Sequence, residues 1–414
     1  MSTRRKKRSQ KKRKLIRMNI AIIGGGASGL VAAISARKSG ANVTVYESGE
    51  RIGRKILATG NGRCNMTNIN AAESNYYGED KKFVNGVIQQ FWVEETLNLF
   101  SDLGLLYKEE EEGKIYPYSN QASSVLDVLR MKLNEDGIVI KSGFEVKSVI
   151  KKNSCFTILS YKGENAYADR IIIACGGKAA PSLGSNGSGY EILKGLGHHI
   201  TKLSPSLVQI KTDTDVVKKL KGIKIDGKLS IGKYSDTGEI LFTDYGISGP
   251  PVFSLTSRLT NQEYAIIDIM PDFTREQIEE ILYTRIAMFP ERTLEEFFTG
   301  MLNKRVGQAL LKYLGISPLS RFFVTLGEDD VRNIANTIKG WKFKIQGTMS
   351  WNNAQVTKGG ADTSEFNSKT LESKKIKGIY ACGEILDVDG DCGGYNLQWA
   401  WASGYIAGLN AGSV

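Results

Sequence analysis

The run Gly24-Gly25-Gly26-Ala27-Ser28-Gly29 constrains this chain more than any other feature. A short β-rich stretch, Asn19-Ile-Ala-Ile-Ile23, leads into it, a helix-like segment from Leu30 to Ser39 leaves it, and a second apolar run, Val43 to Tyr46, ends at Glu47. Strand, glycine turn, helix and strand, with an acid 23 residues after the first glycine, predict a dinucleotide-binding βαβ unit. Gly24 permits the tight turn, Gly26 lets the backbone approach a pyrophosphate, and Gly29 lets the helix pack closely on the strand. Ala27 and Ser28 complete the turn that leads into the helix, whose unpaired N-terminal N–H groups attract anionic oxygen. Glu47 is placed to accept hydrogen bonds from the adenosine ribose.

The residues after Glu47 separate FAD from NAD. A nicotinamide enzyme continues here with another βα unit. This chain instead runs through Arg51-Ile-Gly-Arg54-Lys55 and then Thr59-Gly60-Asn61-Gly62-Arg63-Cys64-Asn65, a polar, glycine-rich loop. Such a loop suits a long cofactor followed from pyrophosphate to ring system, with Arg54 or Lys55 offsetting phosphate charge. A solvated basic loop is the alternative reading. Strands expected between 144 and 175 end at Gly176-Gly177, and Gly184 to Tyr190 opens a helix without the strand that a second nucleotide fingerprint requires. From about 200 the pattern changes to short strands, Leu203–Ile210, Ile223–Ile231 and Glu239–Thr243, with turns at Asp226-Gly227 and Asp236-Thr-Gly238. Residues 274–339 read as helical, with Thr274 as a cap. Near the C-terminus a strand runs into Gly383-Glu384, and Gly393-Gly394-Tyr395-Asn396-Leu397 leads into a helix from about Gln398 to Leu409. Its N-terminus favours the negative charge that develops on a reduced flavin, and Glu384 or Asp387 would accept from ribityl hydroxyls.

With 414 residues the chain is long enough for two or three domains. The expected divisions are a basic tail at 1–17, a cofactor domain at 18–199 and 348–414, and an insert at 200–347 that covers the cofactor. Ten Lys and Arg and no acid fall in residues 1–17, so a net charge of +11 shrinks to +1 for the body. That body offers no general case for nucleic acid. The tail reads either as an arm for RNA, anionic lipid or an acidic partner, or as an extension upstream of a start at Met18. No apolar run suits a membrane span or secretory signal, which makes the cytoplasm the expected compartment. Five scattered cysteines without a CxxC pair suggest reduced thiols and no metal site.

Several long motifs resemble the aminoacetone oxidase-like, BaiN-like family of FAD-dependent oxidoreductases, often described as NAD(P)/FAD-dependent. They are the GGGASG turn, Arg54 to Asn68, Phe242-Thr-Asp-Tyr-Gly-Ile-Ser-Gly-Pro250, Ala354 to Gly360, and Gly383 to Gly390 with Gly393 to Trp401. The resemblance covers Met18 to the C-terminus. It implies an α/β fold: a Rossmann-type, glutathione-reductase-like FAD domain interrupted by a β-barrel-like unit and a helical unit. It also implies an isoalloxazine near the Asn61–Asn65 loop and the Tyr395–Leu397 turn, with Val146 presenting its backbone to adenine. Asp244 stands where the family usually has His, which puts a proton-transfer role of that histidine in doubt here.

The expected activity is hydride transfer between non-covalent FAD and a small molecule, either amine oxidase-like or as reduction of a conjugated carbonyl, with NAD(P)H or oxygen as redox partner. Asp244, Tyr245 and Tyr395 are the candidate proton donors. His198 and His199, the only histidines, read as turn or surface groups. The competing class is a flavin-binding redox sensor or nucleic-acid-associated protein that uses the basic tail.

Overall fold

The computed structural model describes residues 17–259 and 261–413. The basic tail expected at 1–17 therefore lies outside the described residues except for Arg17. Ile20 to Ile23 are buried on both faces of their strand, as a continuous apolar run requires in a parallel sheet covered on both sides. That strand, Asn19–Ile23, is central in a five-stranded parallel sheet of order Ile379–Ala381, Arg170–Ile173, Asn19–Ile23, Asn42–Tyr46 and Val139–Lys141. The C-terminal third thus supplies an edge strand, Ile379 pairing beside Ile171. An antiparallel meander, Val146–Lys152, Cys155–Ser160 and Asn165–Ala168, precedes the strand Arg170–Ile173.

The two ends of the chain are also joined by helices. Ala27–Lys38 lies against Tyr395–Gly412, and small residues at four-residue spacing face each other. A Cβ on Gly404 would stand 2.4 Å from Ser28 O, and one on Gly408 would stand 2.2 Å from Ala32 O. Only glycine permits that approach, because each backbone carbonyl occupies the space of the missing methyl.

Between these halves, six strands form a closed barrel in the order Ile210–Thr212, Gly246–Ser248, Tyr234–Phe242, Lys224–Ile231, Tyr264–Asp268 and Trp341–Thr348. Leu229, Ile240, Phe242, Ile267, Trp341 and Phe343 are buried in a second core, separate from that of the parallel sheet. Helices Arg275–Met288, Lys304–Tyr313 and Glu328–Lys339 contribute Ile278, Leu310 and Ile334 to it.

Three local expectations need correction. Asp226-Gly227 and Asp236-Thr-Gly238 are not turns: Gly227 and Gly238 face each other within one ladder, and the hairpin turns at Gly232-Lys233, where Gly232 has φ +60°. A Cβ on Gly227 would lie 2.8 Å from Asp268 O, so that glycine serves the close approach of a neighbouring barrel strand. The stretch expected as one strand from Leu203 to Ile210 is divided. Ser204–Ser206 pairs with Val356–Lys358 outside the barrel, and Ile210 begins the barrel proper.

The helix expected after Thr274 begins there with a reciprocal cap. Thr274 Oγ1 accepts from Gln277 N at 3.2 Å, and Gln277 Oε1 accepts from Thr274 N at 2.8 Å. Thr274→Ala is expected to cost about 1 kcal/mol, read as a lower midpoint in urea denaturation.

Candidate active site

Gly24 has φ +109°, and a Cβ there would stand 2.4 Å from Ala174 O. Gly29 abuts Gly24 O, where its Cβ would lie at 2.0 Å. Beside Gly26 nothing lies within 4 Å, so its open face is the one that a pyrophosphate can approach. Glu47 anchors the turn: Oε2 accepts from Gly25 N at 2.8 Å and Oε1 from Gly49 N at 2.7 Å. Each carboxylate oxygen keeps lone-pair capacity for ribose hydroxyls. Glu47→Ala removes both the anchor and that acceptor. It is expected to weaken FAD binding by about 10- to 100-fold, on the scale of a charge-assisted hydrogen bond, in a flavin-fluorescence titration of apoprotein.

The segment expected as an extended basic loop folds as a short helix, Arg54–Ala58, followed by a left-handed stretch with φ of +55° at Gly60, +55° at Asn61 and +84° at Gly62. Cys64 repeats that conformation at +62°. Such backbone persists only where surrounding structure enforces it. The two basic residues are engaged: Arg54 donates to Ser182 O at 2.5 Å and Lys55 pairs with Glu384 at 2.7 Å. Arg63 lies over the Tyr116 ring at 4.1 Å and binds Glu110 at 2.5 Å. Burial pushes the Cys64 thiol up to about 11, which makes it an unreactive filler. Asn65 ends the loop with a buried Oδ1 that has no partner.

The C-terminal motif closes on the same region. Gly383 has φ +79°, and its Cβ would stand 2.4 Å from Ser28 Oγ, so the two nucleotide motifs touch. Glu384 accepts from Thr357 N at 2.9 Å in addition to its bond with Lys55. Asp387 is buried, which raises its carboxyl. Gly394, at φ +102°, precedes the helix, and its Cβ would lie 2.6 Å from Thr67 O and 2.9 Å from Asn65 Oδ1. Asn396 fixes this turn by accepting from Gly390 N at 2.9 Å and donating to Gly390 O at 2.9 Å. Tyr395 O accepts from Tyr76 Oη at 2.9 Å. Leu397 is half-buried, Val146 starts the meander as a buried residue, and Gly176 takes φ +70° after the strand Arg170–Ile173.

The structure does not bring all three candidate proton donors together. Asp244 and Tyr245 sit on the barrel turn before Gly246. Asp244 is half-exposed and paired to Lys221 at 2.7 Å, which holds its carboxyl below the ordinary range. No hydrogen bond among the described residues joins their side chains to Tyr395. His198 is buried rather than a surface group. It lies between Glu365, 2.7 Å from Nδ1, and Ser373, 3.0 Å from Nε2, stacked on Phe366, which makes it a structural pin.

Sequence reasoning missed a second cluster beside the Gly390–Gly394 turn. Arg258 Nη2 donates to Tyr77 Oη at 2.5 Å and lies 3.3 Å from Asp391 Oδ1, while Tyr77 Oη donates to Asp391 Oδ1 at 2.8 Å. Arg258 Nε is buried without a partner. Nearby, Lys358 donates to Ser257 O at 2.7 Å, and Asp389 is 1% exposed with neither carboxylate oxygen bonded. The available signal was that Arg258 is the only arginine between Arg170 and Arg275, just beyond the motif ending at Pro250. An open cavity of about 420 Å³ is lined by Glu110, Glu111, Lys114 and Tyr116. Asn68 Nδ2 donates to Glu112 O at 3.0 Å and to Gly393 O at 3.2 Å, which ties the Glu111–Lys114 rim of that cavity to the same turn.

Unpartnered Asn65 Oδ1, Gln398 Nε2 and the Asp389 carboxyl, together with the open face at Gly26, fit a ligand with a pyrophosphate, hydroxyls and an amide-bearing ring. The family model for the HI0933-like protein Rossmann domain matches residues 18–410. The chain belongs to the HI0933-like family. It is 42% identical over 408 residues to a 3-dehydro-bile acid Δ4,6-reductase of Clostridium scindens, covering 95% of this chain and 98% of that protein. It is 31% identical over 396 residues to a ribosomal RNA dihydrouridine synthase of Haemophilus influenzae, covering 94% and 97%. A solved 3-ketosteroid Δ4-(5α)-dehydrogenase of Rhodococcus jostii RHA1 aligns with 96% of this chain and 97% of its own at TM-score 0.48 and 14% identity. This HI0933-like protein is an FAD-dependent oxidoreductase with a Rossmann-type cofactor domain. No helix among its described residues is long and apolar enough to cross a membrane, and no three or more of their His, Cys, Asp and Glu side chains cluster as a metal site.

Proposed function

We propose that this protein reduces a carbon–carbon double bond conjugated to a carbonyl in a small molecule, with NAD(P)H as the source of electrons. The observation that carries this reading is shared chemistry. The Clostridium relative is named for reducing the Δ4,6 bonds of a 3-oxo steroid, and the Haemophilus relative for making dihydrouridine, whose parent double bond is conjugated to a ring carbonyl. Reducing the double bond next to such a carbonyl places a hydride on the β-carbon and a proton on the α-carbon.

When bound and reduced by NAD(P)H, FAD would supply the hydride. The protein's part is to hold the ring and handle charge. The N-terminus of the helix Tyr395–Gly412 would favour negative charge on a ring held beside it, and Asn396 keeps the preceding turn in place. Tyr395 stands at this turn with its phenol raised by burial, so it remains protonated at neutral pH. In this reading residues 18–199 and 348–414 carry FAD, and 200–347 shape the substrate side. Two separate hydrophobic cores support that division. Five unpaired cysteines support a reducing, cytoplasmic setting.

The test is anaerobic spectroscopy of the FAD-loaded protein. NADH or NADPH should bleach the flavin band, and a 3-oxo-4,6-diene steroid or 2-cyclohexenone should restore it under nitrogen. Bleaching by primary amines instead, with recovery only in air, would replace the reductase reading with an oxidase.

A further inference from the structure

Arg258 and Tyr77 come from opposite sides of a seam. Arg258 follows the helix Pro250–Thr256, which packs on the barrel, and Tyr77 belongs to the short strand Tyr76–Tyr77, which pairs with Asp389-Gly390. Asp391, three residues before the glycine that caps the flavin-side helix, binds both. Asn75 Nδ2 donates to the other oxygen of Asp391 at 3.1 Å, so the carboxylate cannot swing away. The guanidinium lies between two rings, 5.4 Å from the centroid of Tyr77 and 5.0 Å from that of Tyr234. Its side chain remains 31% exposed while its Nε is buried without a partner. A cation held by a carboxylate and two rings, with part of its side chain still open to solvent, is prepared to receive one more acceptor.

We propose that Arg258 binds the carbonyl oxygen of the acceptor substrate and that Tyr77 delivers the proton to its α-carbon. This rests on the reductase reading above. A hydride arriving at the β-carbon forms the new C–H bond and moves the π electron pair through the conjugated system onto oxygen. Arg258 stabilises the resulting enolate. The Tyr77 O–H bond then breaks, its proton forms the α-carbon C–H bond, and the enolate collapses to a carbonyl. The phenolate left on Tyr77 lies beside Arg258, which offsets its charge until solvent returns the proton. Burial and the bond to Asp391 push the Tyr77 phenol up to about 12, so it holds its proton at neutral pH yet remains far more acidic than the carbon it protonates.

The test uses the FAD-loaded full chain, with 4-chlorophenolate as a probe of the oxyanion site and 2-cyclohexenone as acceptor. Phenolate stacked on oxidised flavin is read by its charge-transfer absorbance. R258K and R258Q should each bind phenolate about tenfold or more weakly at undiminished FAD content. R258K serves alone if R258Q does not retain flavin. Y77F should bind phenolate within about threefold of wild type but, once reduced with dithionite, be reoxidised by the enone about 100-fold more slowly. The solvent deuterium isotope effect of wild-type reoxidation should change in Y77F, which a purely structural stitch across the seam would not produce. Wild-type phenolate affinity in both Arg258 variants, or wild-type reoxidation in Y77F, would overturn the assignment. Failure of the wild type to be reoxidised by any conjugated carbonyl sinks the reductase reading and the Tyr77 step, whereas the phenolate titration still decides Arg258.

Discussion

Gly408→Val is expected to yield a protein that melts far below the wild type and releases its FAD. Even a bare Cβ at 408 would lie 2.2 Å from Ala32 O and 2.9 Å from Ala32 Cα, both backbone atoms of the opposing helix. A rotamer change cannot relieve a contact with backbone, so the helices Ala27–Lys38 and Tyr395–Gly412 must separate. Overpacking a close contact costs about 1–3 kcal/mol, and here the cost should reach or exceed the top of that range. The separation also propagates to function. One helix begins at the Gly24–Gly29 turn and the other at Gly394, so moving them apart displaces both candidate cofactor contacts together. Thermal release of flavin fluorescence, recorded beside far-UV circular dichroism, checks this. Leu409→Ala, at a position 41% exposed on the same helix, provides the comparison and should change the midpoint little. A Gly408→Val protein with the wild-type midpoint would mean that the two helices are not packed as described.

Asp389→Asn should stabilise the apoprotein at pH 8 and leave it nearly unchanged at pH 4. Burial raises the Asp389 carboxyl to about 7, Lys358 opposes that rise, and Asp387, Asp391 and Glu384 add to it. In the unfolded chain the group has an ordinary value near 4. Between those values the folded state holds the proton more tightly than the unfolded state. Stability therefore falls as pH rises from about 4 to about 7 and then levels off. The loss is bounded at about 4 kcal/mol, three pKa units at 1.36 kcal/mol each. Asparagine carries no charge at any of these pH values and avoids the loss. Urea denaturation of both apoproteins at pH 4, 6 and 8 isolates the effect, because the other titrating groups cancel in the difference. A difference that does not change with pH would show that Asp389 has a partner in solution that fixes its charge.

The nucleotide turn was legible because its requirements are local. Positive φ at Gly24, absent side chains at Gly26 and Gly29, and the strand and helix on either side all belong to about thirty consecutive residues. The cap at Thr274 was legible for the same reason. Glycine also misled. At Gly227 it permits the close approach of the strand that carries Asp268, and at Gly238 it faces Pro251 of the helix Pro250–Thr256, uses that look like turns until those neighbours are known. Arg54 and Lys55 were read as a choice between phosphate partners and solvated groups. Lys55 instead pairs with Glu384, 329 residues away, a contact no local pattern encodes.

Sequence by itself determined elements whose geometry is set within a few residues: the first two parallel strands and the glycine turn between them, the capped helix start at Thr274, and through the long motifs the family and its cofactor. Tertiary structure alone decided which charged and phenolic groups meet. Arg258 reaches Tyr77 across 181 residues and Asp391 across 133, while Asp244 remains on a barrel turn paired with Lys221. Backbone conformation follows from short-range sterics and hydrogen bonding. The pairing of side chains across a seam follows from how two separately packed cores are set against each other, and that is settled only when both have formed.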